Sequence, residues 1–159
     1  MLTGGEDPVF VARRLVILAS EDIGNADPRG LAVAVAGLQA VELVGMPEAA
    51  ITLSQVTTYL SCAPKSNASY TAIKKAQDLV EKTGTLEIPL ALRSARTKLA
   101  KDLGYGQGYA YAHEGETGWK SMQFLPDKIK DVVFYEPVGR GFEKTMRQYL
   151  DWMTGKSSD

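Results

Sequence analysis

The stretch Ser20–Pro28 constrains the fold of this chain most strongly, because it ends one apolar helix and begins another. Asp27 followed by Pro28 has the pattern of a helix start. The side-chain oxygen of such a cap accepts a hydrogen bond from an unpaired amide, and proline at the first helical position lacks only an N–H that would stay unpaired. Gly24 and Asn25 are residue types that tolerate the left-handed backbone at which helices end. The pattern therefore predicts a tight corner between two helices.

The acidic residues of this corner also admit a divalent-metal interpretation. Glu21, Asp22 and Asp27 carry the oxygen ligands that calcium and magnesium prefer. A calcium loop of the EF-hand type would need oxygens at alternate positions, a central glycine and a closing glutamate, and the corner lacks that spacing. Capping and loop structure explain the same residues better. We expect no metal site and no other cofactor in this chain.

Length, charge and cysteine content narrow the classes of protein that fit. A chain of 159 residues is long enough for one domain with one core. The net charge of -1 gives no overall basic footprint for nucleic acid, so any DNA contact has to be local. The single cysteine, Cys62, forms no internal disulfide and is predicted to pack in the core. We expect a cytoplasmic protein without a membrane partner, since no apolar run has the length of a membrane span.

The first part of the chain, residues 1–84, is predicted to hold the core helices. Asp7 and Pro8 repeat the cap device, so the first helix is expected over Val9–Ala19. The second, from about Arg29 to Val44, is apolar on all sides, which predicts burial either centrally or at a subunit interface. The two arginines of the first helix form its one polar stripe or contact a partner. The candidate interface residues are Arg13, Arg14, Val33, Val35, Leu38 and Val41.

The following helices are predicted to differ in character. One helical turn is predicted over Pro47–Ala50, and Thr52 is expected to cap a third helix that includes Tyr59 and Leu60. A fourth helix, from about Asn67 to Lys82, is amphipathic. Because one side of the fourth helix is polar, we expect it to pack on the outside of the first three.

The second part, residues 85–159, contains less regular structure. A short basic helix is predicted over Thr97–Leu103, followed by a long irregular segment rich in glycine and aromatic residues, and a last helix from about Gly141 to Met153. Val132–Tyr135 has strand composition and is expected to pair with Tyr109–Tyr111 as a small β-ribbon. The fold class is therefore all-α, as a single helical domain over 1–159 with this one ribbon.

Two groups in the second part are candidates for nucleic-acid contact. The first is a basic cluster formed by Arg93, Arg96, Lys98 and Lys101, with Lys65 and His113 as potential neighbours. A solvated helix face is the alternative interpretation of this cluster. The tyrosines between the glycines are expected to hold an ordered aromatic loop, with base stacking as the alternative. The candidate DNA contacts are Arg93, Arg96, Lys98 and Lys101, and the loop tyrosines are Tyr105, Tyr109 and Tyr111.

Glycine-rich motifs in the chain do not match nucleotide-binding loops. Gly104–Tyr109 follows a predicted helix, whereas the dinucleotide fingerprint follows a strand and opens a helix. Gly155–Ser157 resembles the end of a Walker A loop, but Leu150 stands where the first glycine should be. No nucleophile–base pair or carboxylate dyad occurs at a defensible spacing either, so a small stand-alone enzyme is the weakest hypothesis.

Several separate motifs together resemble the C-terminal region of the RarA (MgsA) replication-associated recombination proteins, which are relatives of the eukaryotic Werner-helicase-interacting protein. The resemblance covers nearly the whole chain, and the motifs occur in the family's order and spacing. The motifs are Glu6–Pro8, Arg13–Leu15, Ala19–Pro28, Val44–Glu48, Ala63–Asn67, Leu103–Gly106 and Phe142–Glu143.

The resemblance implies a role within a larger protein. Family members are AAA+ ATPases, distantly similar to clamp-loader subunits, that act at stalled replication forks and on single-stranded DNA ends. Their ATP- and magnesium-binding motifs lie upstream of this region. The resemblance therefore implies a compact, non-catalytic helical domain that assembles a homotetramer. Its implied partners are other copies of itself, the upstream AAA+ module, single-stranded or forked DNA, and replication proteins such as single-strand-binding protein. The alternative function is a module that binds DNA or a partner protein.

Overall fold

The structure is a computed structural model that describes residues 1–112 and 119–155. Within these ranges it contains six α-helices and no β-strand. The helices are α1 (Pro8–Leu18), α2 (Arg29–Val44), α3 (Ala49–Cys62), α4 (Ala68–Thr83), α5 (Lys98–Asp102) and α6 (Glu143–Thr154). The predicted all-α fold class is confirmed. None of the described helices is long and apolar enough to cross a membrane.

The helix starts predicted from aspartate and proline are formed. The Asp7 carboxylate accepts hydrogen bonds from the amides of Val9 at 3.1 Å and Phe10 at 3.2 Å, and α1 begins with proline. The Asp27 carboxylate accepts one from the Arg29 amide at 3.2 Å. These bonds satisfy amides that have no partner inside the helix, which is why both helices begin where the sequence predicts.

The predicted corner between α1 and α2 is also present. After α1 the chain makes one π-helical turn, Ala19–Ile23, and a short 3-10 turn, Gly24–Ala26. Gly24 has a φ of 51°, a conformation that favours glycine. A Cβ atom at this position would lie 2.6 Å from the carbonyl oxygen of Ser66. The corner therefore requires glycine for its backbone conformation and for the close approach of another segment.

Two other parts of the chain attach to this corner through backbone hydrogen bonds. The Ser66 amide donates to the carbonyl of Asp22 at 2.8 Å, and the Phe142 amide donates to the carbonyl of Ala26 at 2.8 Å. Beside the second bond, Gly141 has a φ of 54°, and an added Cβ would overlap the Ala26 carbonyl. The corner is thus the point at which the segment after α3 and the start of α6 meet.

The chain divides into two compact units. The first comprises residues 1–75 and 134–150, and the second comprises residues 76–133 and 151–159 as far as they are described. The arrangement of the chain as a single domain stays a prediction.

In the first unit, α1, α2 and α3 pack on one another through small residues. The buried positions of α2 are Gly30, Ala34, Gly37 and Val41. A Cβ added to Gly37 would overlap the Val56 side chain of α3, so glycine allows the two helices to approach closely. Central burial of α2 on all sides is therefore wrong. Leu31, Val35, Leu43 and Val44 of this helix are exposed, and Leu43 is 85% exposed.

The β-ribbon predicted for the second part of the chain is not formed. Both of its segments, Tyr109–Tyr111 and Val132–Tyr135, are described, and neither is a strand. Strand composition reports how well side chains pack on a neighbouring strand, so it predicts pairing poorly when other partners are present. The Tyr135 hydroxyl instead donates a hydrogen bond to Glu143 at 2.8 Å.

The prediction that Cys62 packs in the core is wrong, because the thiol is exposed. The buried residues of α3 are Ala49, Leu53, Val56 and Leu60. Cys62 follows Leu60 by two residues, a rotation of about 200° around an α-helix. That rotation places the side chain on the opposite face.

Helix α4 does not take the predicted position against the first three helices over its residues 68–75. Ala68 is its buried residue, while Tyr70 and Ile73 are exposed. The helices that pack extensively on one another in this unit are α1, α2 and α3. Amphipathic spacing thus predicted the helix correctly but not its packing.

Candidate functional site

The outward face of α1 combines two cations with two large apolar side chains. Arg13 and Arg14 are exposed, and they lie between Phe10 and Ile17, which are also exposed. Residues three and four positions apart share one side of a helix, so all four belong to one face. Neither arginine forms an ion pair within residues 1–112 and 119–155.

The apolar interface candidates of α2 are placed differently from one another. Val41 is only 3% exposed and lies in a core cluster with Ala12. Val33 and Leu38 are half-buried and pack against the two core clusters. Val35 is exposed. The structure therefore places Val41 in the core of its own unit, where it cannot contact a second chain, and leaves Val35 at the surface.

A more exposed apolar surface lies where α2 ends and α3 begins. Sequence reasoning missed it, although Leu43 follows the buried Val41 by two positions, a rotation of about 200° around the helix, and so cannot share its face. We call this surface the apolar end; it consists of Leu43, Val44, Met46 and Ile51, of which Leu43 is 85% and Ile51 73% exposed. Two exposed carboxylates lie close to it in sequence, Glu42 just before Leu43 and Glu48 between Met46 and Ile51.

In the second unit, the Arg93 side chain is engaged by its neighbours. Its Nε donates to the carbonyl of Ile88 at 2.7 Å, and a terminal nitrogen donates to the Glu87 carboxylate at 3.0 Å. The guanidinium also lies 5.2 Å from the centre of the Tyr105 ring. Hydrogen bonds to Glu87 and then to Tyr105 raise the pKa of Arg93. Arg93 thus joins the segment before α5 to the loop after it.

The other three residues of the basic cluster are exposed around the start of α5. Arg96 precedes the cap residue Thr97, whose hydroxyl accepts a hydrogen bond from the Ala100 amide at 3.1 Å. Lys98 and Lys101 lie three positions apart in the helix that this cap begins. None of the three cations has an ion-pair partner among the described residues. They form an exposed cationic surface without Arg93.

Of the two predicted neighbours of the basic cluster, the structure describes Lys65 alone. Lys65 belongs to the first unit, and its ammonium donates to the carbonyls of Leu60 at 2.6 Å and Ala63 at 2.7 Å. It therefore satisfies carbonyls at the end of α3. His113 lies outside the described residues, as do Lys156 and Ser157 of the Walker-like triplet.

The aromatic loop is anchored at its start. Tyr105 is half-buried against Arg93, and the next residue, Gly106, donates its amide to the carbonyl of Leu90 at 2.8 Å. Because this amide is already paired, it is not available to a phosphate group. Tyr109 and Tyr111 are exposed.

A buried carboxylate organises the polar part of the first unit, and sequence reasoning missed it. Glu143, the first residue of α6, is fully buried. One of its oxygens accepts hydrogen bonds from the hydroxyls of Ser66 and Tyr135, both at 2.8 Å, and the other accepts from the Val138 amide at 2.8 Å. A carboxylate at this position also interacts favourably with the positive end of the helix dipole.

The Tyr135 hydroxyl extends this network to the corner. It accepts a hydrogen bond from the Asn25 amide group at 3.2 Å, which also donates to Ser69 at 3.2 Å. Burial is the main cause that raises the pKa of Tyr135; the Asn25 bond opposes the rise, and Glu143 adds to it. Asn25 therefore helps to fix the corner by a side-chain bond rather than by a left-handed backbone.

Asp27 is the centre of a second polar group. Besides capping α2, its carboxylate accepts a hydrogen bond from the Tyr59 hydroxyl at 2.7 Å and pairs with Arg29 at 2.9 Å. The Arg29 hydrogen bond is the largest cause that holds the pKa of Asp27 below its ordinary value, burial opposes it, and the Tyr59 bond reinforces it. The cap thus also connects α2 to α3.

These polar groups fit a structural role. Within residues 1–112 and 119–155 every buried side-chain nitrogen and oxygen has a hydrogen-bond partner. In the same ranges no three histidine, cysteine, aspartate or glutamate side chains are grouped to hold a metal ion. The described geometry therefore presents surfaces for contact: the outward face of α1, the apolar end, and the cations at α5.

Comparison with known proteins identifies the family. The family model described as MgsA AAA+ ATPase C terminal matches residues 1–154. A Replication-associated recombination protein A from Coxiella burnetii is 44% identical over 96% of this chain and 35% of its own length. The protein of that name from Escherichia coli is 42% identical over 96% of this chain and 34% of its own length. ATPase WRNIP1 of Dictyostelium discoideum is 41% identical over 86% of this chain and 16% of its own length.

The chain spans about a third of the length of the bacterial relatives named here. The match to the family model, in contrast, runs through almost all of the chain. The chain therefore belongs to the family of MgsA AAA+ ATPase C-terminal domains.

Proposed function

We propose that this chain is a non-catalytic homo-oligomerisation domain that assembles as a homotetramer. The observation that carries the proposal is the set of large apolar side chains left exposed by α1, α2 and α3. Soluble monomers rarely expose contiguous apolar surface beyond a few hundred Å², and a second copy of the same surface is the usual cover. These side chains are Phe10, Ile17, Leu31, Val35, Leu43, Val44, Met46 and Ile51. The resemblance to the family supplies the number four.

The proposal places the chain in a larger machine. Two of the relatives are named for replication-associated recombination and one is named an ATPase. We propose that an AAA+ module outside this chain binds ATP and magnesium, and that the tetramer acts in the cytoplasm, at the nucleoid, on single-stranded or forked DNA. Replication proteins such as single-strand-binding protein are its proposed partners. This chain would contribute assembly rather than hydrolysis.

Sedimentation equilibrium over a wide concentration range tests the assembly. We expect the mass of a tetramer at high concentration, and a lower mass for Ile51→Glu, which puts a charge on the apolar end. Ile73→Glu is the matched control, since Ile73 is a 54% exposed isoleucine of α4 outside the proposed contact. A wild-type chain that stays monomeric throughout would refute the proposal.

Calorimetry with ATP and magnesium tests the lack of catalysis. We expect no binding at micromolar concentration, because the tightest glycine loop already uses the Gly106 amide internally, and phosphoryl transfer needs free backbone amides, a lysine and a metal-binding hydroxyl. Micromolar affinity in this chain would contradict the assignment of the nucleotide site to another part of the protein.

The exposed cations at α5 favour DNA binding as a second candidate function. Arg96, Lys98 and Lys101 lie within six residues and have no ion-pair partner in the described ranges. If they contact phosphates, alanine at all three should lower the dependence of single-strand affinity on salt by about one unit per contact.

A matched control for this experiment removes the same charge elsewhere. Lys128, Lys130 and Lys144 are exposed lysines outside the cluster, so alanine at these positions keeps the same net charge. Equal losses of affinity in the two triple variants would assign binding to overall charge and not to the surface at α5.

A further inference from the structure

We propose that copies of this chain contact each other through the apolar end, with Arg13 and Arg14 of one copy facing Glu42 and Glu48 of the other. This inference rests on the proposed function, because it specifies the surface through which self-association occurs. It commits to a second copy of this chain as the occupant of the apolar end.

Charge complementarity is the first argument. The outward face of α1 presents two cations, and two exposed carboxylates lie close in sequence to the members of the apolar end. None of these four side chains has an ion-pair partner within the described residues. Both surfaces also carry exposed large apolar side chains, Phe10 and Ile17 on α1 and Leu43 and Ile51 at the apolar end. An apolar centre with charges at its edge is the usual composition of a protein interface.

The location of the two surfaces is the second argument. Ala12 of α1, Val41 of α2, and Ala49 and Leu53 of α3 form one core cluster. The start of α1, the end of α2 and the start of α3 therefore lie at the same end of the packed helices of the first unit. A two-fold axis at this end makes the contact reciprocal, since each copy offers both its arginines and its glutamates to the other.

The charges and the apolar residues contribute differently. Burial of Leu43 and Ile51, the two most exposed members of the apolar end, supplies the favourable energy of contact. Exposed ion pairs at the edge of an interface add little affinity, but like charges placed opposite each other are strongly unfavourable. The four charged residues therefore determine which surfaces meet and in which orientation.

Charge reversal tests this pairing. One variant carries Arg13→Glu and Arg14→Glu, and the other carries Glu42→Arg and Glu48→Arg. Each variant alone would place like charges opposite each other, so we expect self-association on the order of 100-fold weaker than wild type in sedimentation experiments. An equimolar mixture of the two restores opposite charges in both halves of the contact and should recover the wild-type mass.

A matched control changes the charge elsewhere by the same amount. Lys128→Glu with Lys130→Glu makes the same change as the arginine variant, at exposed positions of the second unit. It should associate as wild type does. Circular dichroism of each variant establishes that its helices are intact before its mass is compared.

The outcomes separate this inference from the function on which it rests. A monomeric wild type would refute the proposed function and this inference with it. If the wild type assembles and both charge-reversed variants assemble equally well, the inference is wrong and the proposed function stands. Folded variants that dissociate but do not recover on mixing would also overturn the pairing.

Discussion

The two units of this chain are ordered by different kinds of contact. In the first unit, α1, α2 and α3 bury two apolar clusters, and the fully buried Glu143 adds hydrogen bonds from three donors. In the described part of the second unit, Ala100 is the one buried apolar residue. That unit relies on individual hydrogen bonds, such as those of Arg93 to residues five and six positions away and the bond from the Gly106 amide to the Leu90 carbonyl.

This difference indicates how each unit should respond to substitution. Buried contacts between distant segments are lost together, so removing one should lower the free energy of unfolding of the first unit as a whole. Contacts between near neighbours can open alone, so changes in the second unit should affect exchange and proteolysis locally. Four experiments test the comparison, beginning with the largest expected effect.

Removal of the buried carboxylate should have the largest effect. Glu143→Ala leaves the donors of Ser66, Tyr135 and Val138 without their acceptor. A stranded buried donor such as the Ser66 hydroxyl costs about 1–3 kcal/mol, and the two part-buried donors add to that loss. We expect the free energy of unfolding, measured by urea denaturation, to fall by about 3 kcal/mol or more, and by less in Glu143→Gln, which keeps the shape. Glu136→Ala, at an exposed carboxylate paired with Lys75, is the control and should change little. If Glu143→Ala were as stable as wild type, the buried carboxylate would not be one of the contacts that hold the first unit together.

Gly141→Ala should have the next largest effect. The φ of 54° is unfavourable for alanine, and the added Cβ would overlap the Ala26 carbonyl at the corner. We expect a loss of about 2 kcal/mol or more in urea denaturation. Gly5→Ala is the matched control, since its φ is 87° and a Cβ there meets nothing within 4 Å. It should lose only about 1 kcal/mol for the backbone conformation. Equal losses in the two variants would show that the corner tolerates the overlap.

Removing a hydrogen bond to the Asp27 carboxylate should raise the pKa of that group without unfolding the first unit. Because its folded-state pKa lies below the ordinary value of 3.8, ionised Asp27 stabilises the first unit above that pH, and this contribution is lost as the pH falls through the lower folded-state value. Carbon NMR of the carboxyl group should show an upward pKa shift in Arg29→Gln and a smaller one in Tyr59→Phe. Tyr70→Phe in α4 is the control and should leave the titration unchanged. A larger shift in Tyr59→Phe than in Arg29→Gln would reverse the assigned order of causes.

Substitution of Arg93 should have the smallest effect on overall stability. Arg93→Lys cannot reproduce both the bond to the Ile88 carbonyl and the bond to Glu87, because lysine lacks the planar fork of donors. We expect faster hydrogen exchange at the Gly106 amide and an unchanged urea midpoint for the first unit. Arg96→Lys, at an exposed arginine of the same segment, should leave that exchange rate unaltered. A cooperative loss of structure in both units would show that the second unit is not locally ordered.

Local patterns predicted the helices well because they depend on neighbouring residues. The caps at Asp7 and Asp27 use bonds to amides two or three positions away, so the residue types alone indicate them. The end of α1 near Gly24 was predictable for the same reason, since the backbone conformation there favours glycine. The candidate surfaces were predictable only in part: the exposed arginines of α1 were identified, but the apolar end was not.

The sequence by itself determined the all-α fold, the corner at Ser20–Pro28 and the excess of apolar residues in the first helices. The tertiary structure decided which of those residues are inside. In α2, Val41 lies on the same face as the buried Ala34 and Gly37 and is buried, whereas Leu43 lies on another face and is exposed, although both are apolar. The tertiary structure also decided the role of Glu143, whose hydrogen-bond partner Ser66 is 77 positions away. No local pattern encodes such a pair, because burial and hydrogen bonding between distant residues arise only when the helices have packed.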